Sequence, residues 1–173
     1  MAKLIVISII LAFFGAVLLV VQMNYRREMR DRETRLPTLD DQLDTLVRAG
    51  LPLTPGVTRA TLLDWGPEDR YGHEPWRLLL LTLASAGEDG KPLSPRATMI
   101  DTSGPVPRAD LARITGHTPT SDDLETSLAE CARMLPANTG LYTMDNGTDR
   151  AVFVLPNPGS ARITAVLPDL QKV

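Results

Sequence analysis

The first strong pattern in the chain is an apolar stretch near its beginning. Residues 4–21 contain no charged side chain, and a helix of that length spans about 27 Å, close to the roughly 30 Å hydrocarbon core of a bilayer. A cleaved signal peptide has a shorter apolar core, followed by a small-x-small cleavage site, and the residues after Val21 offer no such site. The pattern therefore predicts a retained transmembrane helix over residues 1–23.

A charged segment follows the apolar stretch. Residues 24–36 contain neither Gly nor Pro, and the pairs Glu28–Arg32 and Asp31–Arg35 place an acid four residues before a base. This order stabilises a helix, and Pro37 disfavours helical geometry at the residue before it. We predict that a charged juxtamembrane helix continues the transmembrane helix to residue 36.

Basic residues flank the apolar stretch unequally. Lys3 is the only basic side chain before it, whereas five arginines lie between Tyr25 and Pro37. Basic residues near a span stay in the cytoplasm, so we expect an outside N-terminus and a cytoplasmic C-terminal domain. An extracytoplasmic binding module with reversed topology is the alternative. The residues expected at the lipid interface are Tyr25, Arg26, Arg27 and Arg30.

Small side chains recur along one side of the predicted transmembrane helix. Ser8, Ala12 and Ala16 are spaced by four residues, and Gly15 lies beside them in the sequence. Small residues at this spacing allow a second helix to approach closely. They predict a helix–helix contact with other membrane-protein subunits.

Beyond Pro37 the pattern is that of a small folded domain, residues 37–173. Apolar residues at helical spacing predict helices after Thr38, at 107–115 and at 121–135. Extended patterns predict strands at 57–65, 76–85, 96–102, 140–144, 150–155 and 161–167. Residues 76–85 are apolar throughout and also fit a buried helix. Together the segments predict an α+β domain with a mostly antiparallel sheet and two or three helices.

Charge and composition narrow the classes of function. Residues 37–173 carry 12 Lys+Arg and 18 Asp+Glu, a net charge of −6, which repels nucleic-acid phosphates. The helix–helix–hairpin order over residues 107–155 superficially resembles a winged helix, but its second helix is acidic. We therefore expect no nucleic-acid partner. The single cysteine excludes an internal disulfide, so no disulfide partner is expected.

No common catalytic signature occurs in the sequence. It has no G-x-S-x-G elbow, no P-loop and no G-x-G-x-x-G motif. The densest acid–base group is Asp69, His73 and Glu74, but the nearby glycines and prolines predict a loop, which does not place these side chains on one face. We expect no catalytic residue, metal site or cofactor, and a membrane-tethered enzyme using this loop is the alternative.

Two other residues, a cysteine and a histidine, have side chains that often act in catalysis but are expected to be structural here. Cys131 lies in the apolar stripe of its predicted helix, where a free cysteine behaves as a small hydrophobic residue. His117 follows Gly116 just after a predicted helix, where an imidazole can meet the last carbonyl groups. We expect neither residue to be catalytic.

The segment between the two tryptophans is the best candidate for contact with a partner. Trp, Tyr and Arg are the residue types that dominate interface energetics, although both tryptophans could also be core residues at strand ends. The candidate contact residues are Trp65, Arg70, Tyr71, His73 and Trp76. The sequence as a whole predicts a non-catalytic accessory or assembly subunit of a larger membrane-protein complex. Single-span subunits of bacterial respiratory or photosynthetic complexes share this layout, by architectural analogy only.

Overall fold

The computed structural model describes residues 37–66, 68–87, 90 and 92–173, together with Gln22. Apart from Gln22, the predicted transmembrane and juxtamembrane helices lie outside the described residues. So do the predicted helix–helix contact residues and the predicted interface residues, which are Ser8, Ala12, Gly15, Ala16, Tyr25, Arg26, Arg27 and Arg30. Within the described ranges, no helix combines the length and apolar character needed to cross a bilayer. The contacts group Pro37–Val173 into one unit.

Seven helices and four strands follow one another along the described residues. The helices are α1 (Leu39–Arg48), α2 (Arg59–Leu63), α3 (Glu68–His73), α4 (Arg77–Ala84), α5 (Arg108–Thr115), α6 (Leu124–Met134) and α7 (Asn157–Val166). The strands are β1 (Ala97–Asp101), β2 (Thr139–Asn146), β3 (Asp149–Pro156) and β4 (Gln171–Lys172). All neighbouring strands are antiparallel, in the order β1-β3-β2-β4. The predicted α+β class is confirmed, whereas the predicted number of helices is too small.

The sheet separates two buried apolar clusters, because alternate side chains of a strand point to opposite faces. On one face, Ala97, Met144 and Phe153 join residues of α1–α4 and α7 in the larger cluster. On the other face, Leu141, Val152 and Val154 pack with residues of α5 and α6. The central strand β3 is therefore buried on both sides.

The predicted first helix is confirmed together with its cap. The Thr38 hydroxyl accepts the Asp41 N–H across 3.2 Å, and the Asp41 carboxylate accepts the Thr38 N–H across 3.2 Å. This reciprocal pair satisfies two backbone donors at the helix start. Leu39 and Leu46 are buried as expected, but Val47 lies on the exposed side.

The predicted hairpin is also confirmed, with a tighter turn. The last pair of the β2–β3 ladder is Asn146 and Asp149, so only Gly147 and Thr148 form the connection. Gly147 has a φ of 69°, a left-handed conformation that a side chain would disfavour and that two-residue hairpin turns need. The helix predicted at 121–135 is confirmed as α6, which is capped by Asp123.

Two of the segments predicted as strands, both in the first half of the chain, form short helices instead. Residues 57–65 contain α2, which begins after Thr58 because Thr58 and Thr61 form a reciprocal capping pair. Residues 76–85 contain α4, so the helical alternative is correct. Most positions of α4 are buried, including several leucines and Ala84. The helix therefore lacks the polar face by which a helix is normally recognised in a sequence.

The predicted strand at 161–167 is also wrong, because these residues belong to α7. The helix begins with a proline in its first turn. Its first turn is tied to the sheet because the buried Tyr142 hydroxyl donates to Ser160 Oγ across 2.7 Å. Gly159, in the same turn, lies so close to Ala49 that a Cβ there would be 2.6 Å from Ala49 C. These tertiary contacts override the β-branched residues Ile163 and Thr164.

Guanidinium groups bond to backbone carbonyls on the edge strand β1 and on β2, next to the short edge strand β4. On β1, Arg113 Nη2 donates to Ala97 O across 3.1 Å. On β2, beyond the short β4, Arg77 Nη2 donates to Asp145 O across 3.0 Å. Edge strands otherwise present unpaired backbone groups to an incoming strand. These two carbonyl groups, one on β1 and one on β2 beyond the residues that pair with β4, therefore already have partners from the same chain.

Candidate functional site

The described residues form a cleft of ≈ 630 Å³ beside α2. This volume lies within the range of about 300–1,000 Å³ that is usual for ligand pockets. Three parts of the chain form its walls. The first wall is residues 54–57, and the second consists of Thr61, Asp64 and Trp65 at the end of α2. The third wall contains Gly87, Pro92 and Leu93.

Hydrogen bonds join the first and third walls of the cleft. The Thr54 N–H donates to Leu93 O across 2.9 Å, and the Thr54 hydroxyl donates to Pro92 O across 2.7 Å. The Ser94 hydroxyl donates to Pro52 O across 2.7 Å. These bonds connect segments about forty residues apart, so the two walls are held at a fixed separation before any ligand arrives.

The α2 wall is anchored to the core. Leu62 is fully buried, and its carbonyl oxygen accepts the Tyr71 hydroxyl across 2.7 Å. Burial raises the pKa of the Tyr71 phenol, while a hydrogen bond with Thr82 lowers it less, so the group donates in its neutral form. The bond fixes α2 against α3 and sets the direction in which Trp65 leaves α2.

Trp65 is the largest exposed apolar side chain at the cleft. It remains 45% exposed, and Asp64 beside it is exposed as well. Among the described lining residues, Asp64 is the only charged one. The Thr54 and Thr61 hydroxyls already take part in hydrogen bonds within the walls. The cleft therefore offers an indole and a carboxylate beside a lining that presents both polar and apolar surface.

The structure separates the five predicted contact residues. Trp65 lies at the cleft, and Arg70 and His73 are exposed on α3. Tyr71 is only 1% exposed and belongs to the core, and Trp76 packs partly buried against the same core cluster. The segment that was predicted as a loop contains α3 instead, because the glycines and prolines lie near its ends. The contact hypothesis therefore concerns Trp65, Arg70 and His73.

Trp76 has an unusual backbone conformation. Among the described residues it is the only non-glycine residue with a positive φ, at 70°. The Arg77 N–H donates to Pro75 O across 2.9 Å, which makes residues 75–77 a γ-turn of the strained type. The side chain of the fully buried Gln42 accepts the Trp76 N–H across 2.8 Å. This turn starts α4 and points Arg77 toward the sheet edge.

Two of the three candidate acid–base side chains, those of His73 and Glu74, lie within the described part of the chain. His73 and Glu74 are both exposed, and Glu74 lies 4.0 Å from Arg77 in a loose ion pair. The Asp69 side chain lies outside the described part. Within that part, no group of three or more His, Cys, Asp or Glu residues could hold a metal ion.

Cys131 and His117 meet at the junction of α5 and α6. Cys131 is fully buried, as predicted, and burial raises the pKa of its thiol. His117 does not cap α5, because Gly116 does so. Instead its Nε2 donates to Glu130 Oε1 across 3.0 Å. Sequence spacing could not show this contact because Glu130 lies on the next helix.

Glu130 predicts a pH dependence of folding. Its pKa is lowered first by the hydrogen bond from the Thr120 N–H and then by His117. A lowered pKa in the folded state stabilises the protein above the usual value of 4.5, and this contribution disappears as the pH falls through the lowered pKa. We expect Glu130→Gln to be less stable than wild type at pH 6, with the difference shrinking toward pH 3.

Urea unfolding followed by tryptophan fluorescence across this pH range measures the difference. Glu74→Gln is a control, because Glu74 is exposed and makes only a loose ion pair. A destabilisation by Glu130→Gln that is equal at pH 6 and pH 3 would contradict the assigned cause.

No protein-family model, no curated protein and no solved structure matches the chain.

Proposed function

We propose that the chain is a non-catalytic accessory subunit of a larger membrane-protein complex, and that residues 37–173 bind a partner protein at the Trp65 cleft. The observation that carries this proposal is the exposure of Trp65, at 45%, beside a cleft with fixed walls. The apolar stretch of residues 4–21 supports the membrane anchor.

An exposed tryptophan at a cleft favours protein binding for a physical reason. Tryptophan buries a large area when a partner covers it, and it loses few rotatable bonds. Because the cleft walls are already hydrogen-bonded to each other, little ordering is needed on binding. Preorganisation of this kind increases affinity by lowering the entropic cost of association.

The sequence supports the remaining parts of the proposal. The five arginines of residues 24–36 favour a cytoplasmic domain, and they would also attract the anionic lipid surface. The small residues Ser8, Ala12, Gly15 and Ala16 favour a second contact with other subunits inside the bilayer. The complex would then hold this chain at two points, one in lipid and one at the Trp65 cleft.

Native membranes extracted with a mild detergent test this proposal. We expect the wild-type chain to migrate in native electrophoresis as an assembly much larger than the 18.9 kDa chain with its detergent. Trp65→Asp should lower the fraction of the chain that migrates in that assembly, since a charge at the centre of an interface removes the anchor residue and leaves only the contact in the bilayer.

Met134→Asp is the matched control, because Met134 is 60% exposed on α6 and does not line the cleft. It should leave the assembly intact. A wild-type chain that migrates alone would overturn the subunit role. An assembly that Trp65→Asp and Met134→Asp both leave intact would overturn the role of the cleft.

A further inference from the structure

We infer that the Trp65 cleft recognises an arginine side chain of the partner protein, followed or preceded by an apolar residue that enters the cleft. This inference rests on the proposed partner-binding role and names the chemistry that the partner must supply. It follows from which groups of the cleft are still available for a ligand.

Most polar side chains of the cleft already have partners. The Thr54 hydroxyl donates to Pro92 O across 2.7 Å, and Thr61 Oγ1 accepts the Thr58 N–H across 3.2 Å. Asp64 differs, because within the described part of the chain no side chain forms a hydrogen bond or ion pair with its carboxylate. A carboxylate is an acceptor only, so the available polar group selects a donor with positive charge.

The position of Asp64 beside Trp65 selects the kind of cation. Asp64 and Trp65 are consecutive residues at the end of α2, and both line the cleft. A guanidinium group stacks on an indole face and also donates two parallel hydrogen bonds to a carboxylate. An ammonium group is a compact point charge without that planar match. The pair therefore favours arginine over lysine.

The rest of the lining favours an apolar neighbour of that arginine. Pro55, Val57, Pro92 and Leu93 supply apolar surface in the same cleft. Burial of apolar surface contributes roughly 25 cal/mol per Å², and the aliphatic stem of an arginine can use part of it. A polar segment would leave this surface without a complementary contact.

Charge complementarity supports the same occupant. Residues 37–173 carry a net charge of −6, and the described cleft lining contains no basic residue. The nearby Arg59 forms an ion pair with Asp40 on α1, with Nε and Oδ1 3.2 Å apart. An approaching cationic segment is therefore attracted by the net charge of the domain.

Three short peptides added to the purified full-length chain test this inference. The probes are N-acetyl-Leu-Arg-Leu-amide, its lysine analogue and its citrulline analogue, which keeps the shape of arginine without the charge. We expect saturable binding of the arginine peptide with a change in tryptophan fluorescence, weaker binding of the lysine peptide, and none of the citrulline peptide. Asp64→Asn should weaken the arginine peptide by roughly 10-fold or more, as expected for losing a charge-assisted hydrogen bond.

Asp44→Asn is the matched control, because Asp44 is exposed on α1 and does not line the cleft. It removes the same charge and should leave binding unchanged. Equal binding of the arginine and citrulline peptides, equal effects of the two substitutions, or no saturable binding of the arginine peptide would each overturn the inference.

These outcomes are separate from those of the native-membrane experiment. An assembly that Trp65→Asp disrupts, in a chain that ignores the arginine peptide, overturns only the arginine specificity. A chain that migrates alone in native electrophoresis but binds the arginine peptide through Asp64 overturns the subunit role and leaves the site chemistry standing.

Discussion

Replacing Gln42 with leucine is expected to lower the free energy of unfolding by about 3–4 kcal/mol, because one buried and two part-buried backbone groups lose their partner at once. Gln42 is fully buried. Its Nε2 donates to Pro37 O and to Tyr71 O, each across 3.0 Å, and its Oε1 accepts the Trp76 N–H across 2.8 Å. Leucine has a similar size and fills the space, so the loss is one of hydrogen bonds.

The Gln42→Leu substitution should disturb the backbone turn at Trp76 more strongly than the rest of the domain. A left-handed non-glycine residue costs on the order of 1–3 kcal/mol and persists only where neighbours hold it. Gln42 is the side chain that binds the Trp76 N–H. We therefore expect Gln42→Leu to change the fluorescence of the folded state as well as the urea midpoint.

Gln171→Leu is the control for this prediction. It is the same substitution at an exposed position of β4, where surface changes usually stay within about 0.5 kcal/mol. Urea unfolding of the full-length chain, followed by tryptophan fluorescence, compares the two variants. Equal midpoints for Gln42→Leu and Gln171→Leu would show that the buried amide contributes nothing to stability.

Gly159→Ala is expected to destabilise the fold by about 3 kcal/mol or more, at the upper end of the usual effect of overpacking. A Cβ at residue 159 would lie 2.6 Å from Ala49 C and nearer still to Ala49 O. Both are backbone atoms, so the clash can be relieved only if α7 moves away from the end of α1. That movement would also disturb the Tyr142–Ser160 hydrogen bond.

Gly72→Ala is the matched control for Gly159→Ala. Gly72 is also helical, in α3, but a Cβ there would meet nothing within 4 Å. Alanine in a helix is favoured over glycine by roughly 0.5–1 kcal/mol, so this variant should be unchanged or slightly more stable. Thermal unfolding of both variants measures the contrast, and a Gly159→Ala midpoint at or above that of wild type would contradict the close approach.

Elements that carry their own local signals could be predicted from the sequence. The Thr38–Asp41 capping pair marks the start of α1, and Gly147 marks the hairpin turn. These signals act between residues close in the chain, so they can be recognised without knowing the fold. The confirmed antiparallel α+β class follows from such segments.

Elements that depend on distant contacts were missed. The apolar run in α4 has no polar face because helix, strand and loop residues surround it, and α7 is fixed by Gly159 against Ala49 and by Tyr142. No pattern within either segment contains this information. Apolar or β-branched residues therefore favour a strand in both segments, with a buried helix as the alternative only for residues 76–85.

The candidate site likewise has one part that the sequence identifies and another part that depends on distant contacts. Trp65 could be selected by residue type alone. Its cleft could not be predicted, because one wall depends on hydrogen bonds from Thr54 to Pro92 and Leu93, which lie thirty-eight or more residues after Thr54. Tyr71 was selected for the same reason as Trp65, yet its hydroxyl bonds to a buried carbonyl in the core. Residue type identifies candidates, and only tertiary contacts separate the exposed ones from the buried ones.

The two arginines at the sheet edges have a consequence for crowded conditions. A strand from a neighbouring molecule could pair at Ala97 or Asp145 only after displacing a guanidinium that already bonds there. A high concentration of the chain should thus favour edge-to-edge strand pairing less at these two carbonyl groups than at open backbone. At Ala97 and Asp145, another molecule therefore meets a guanidinium side chain rather than a free backbone carbonyl.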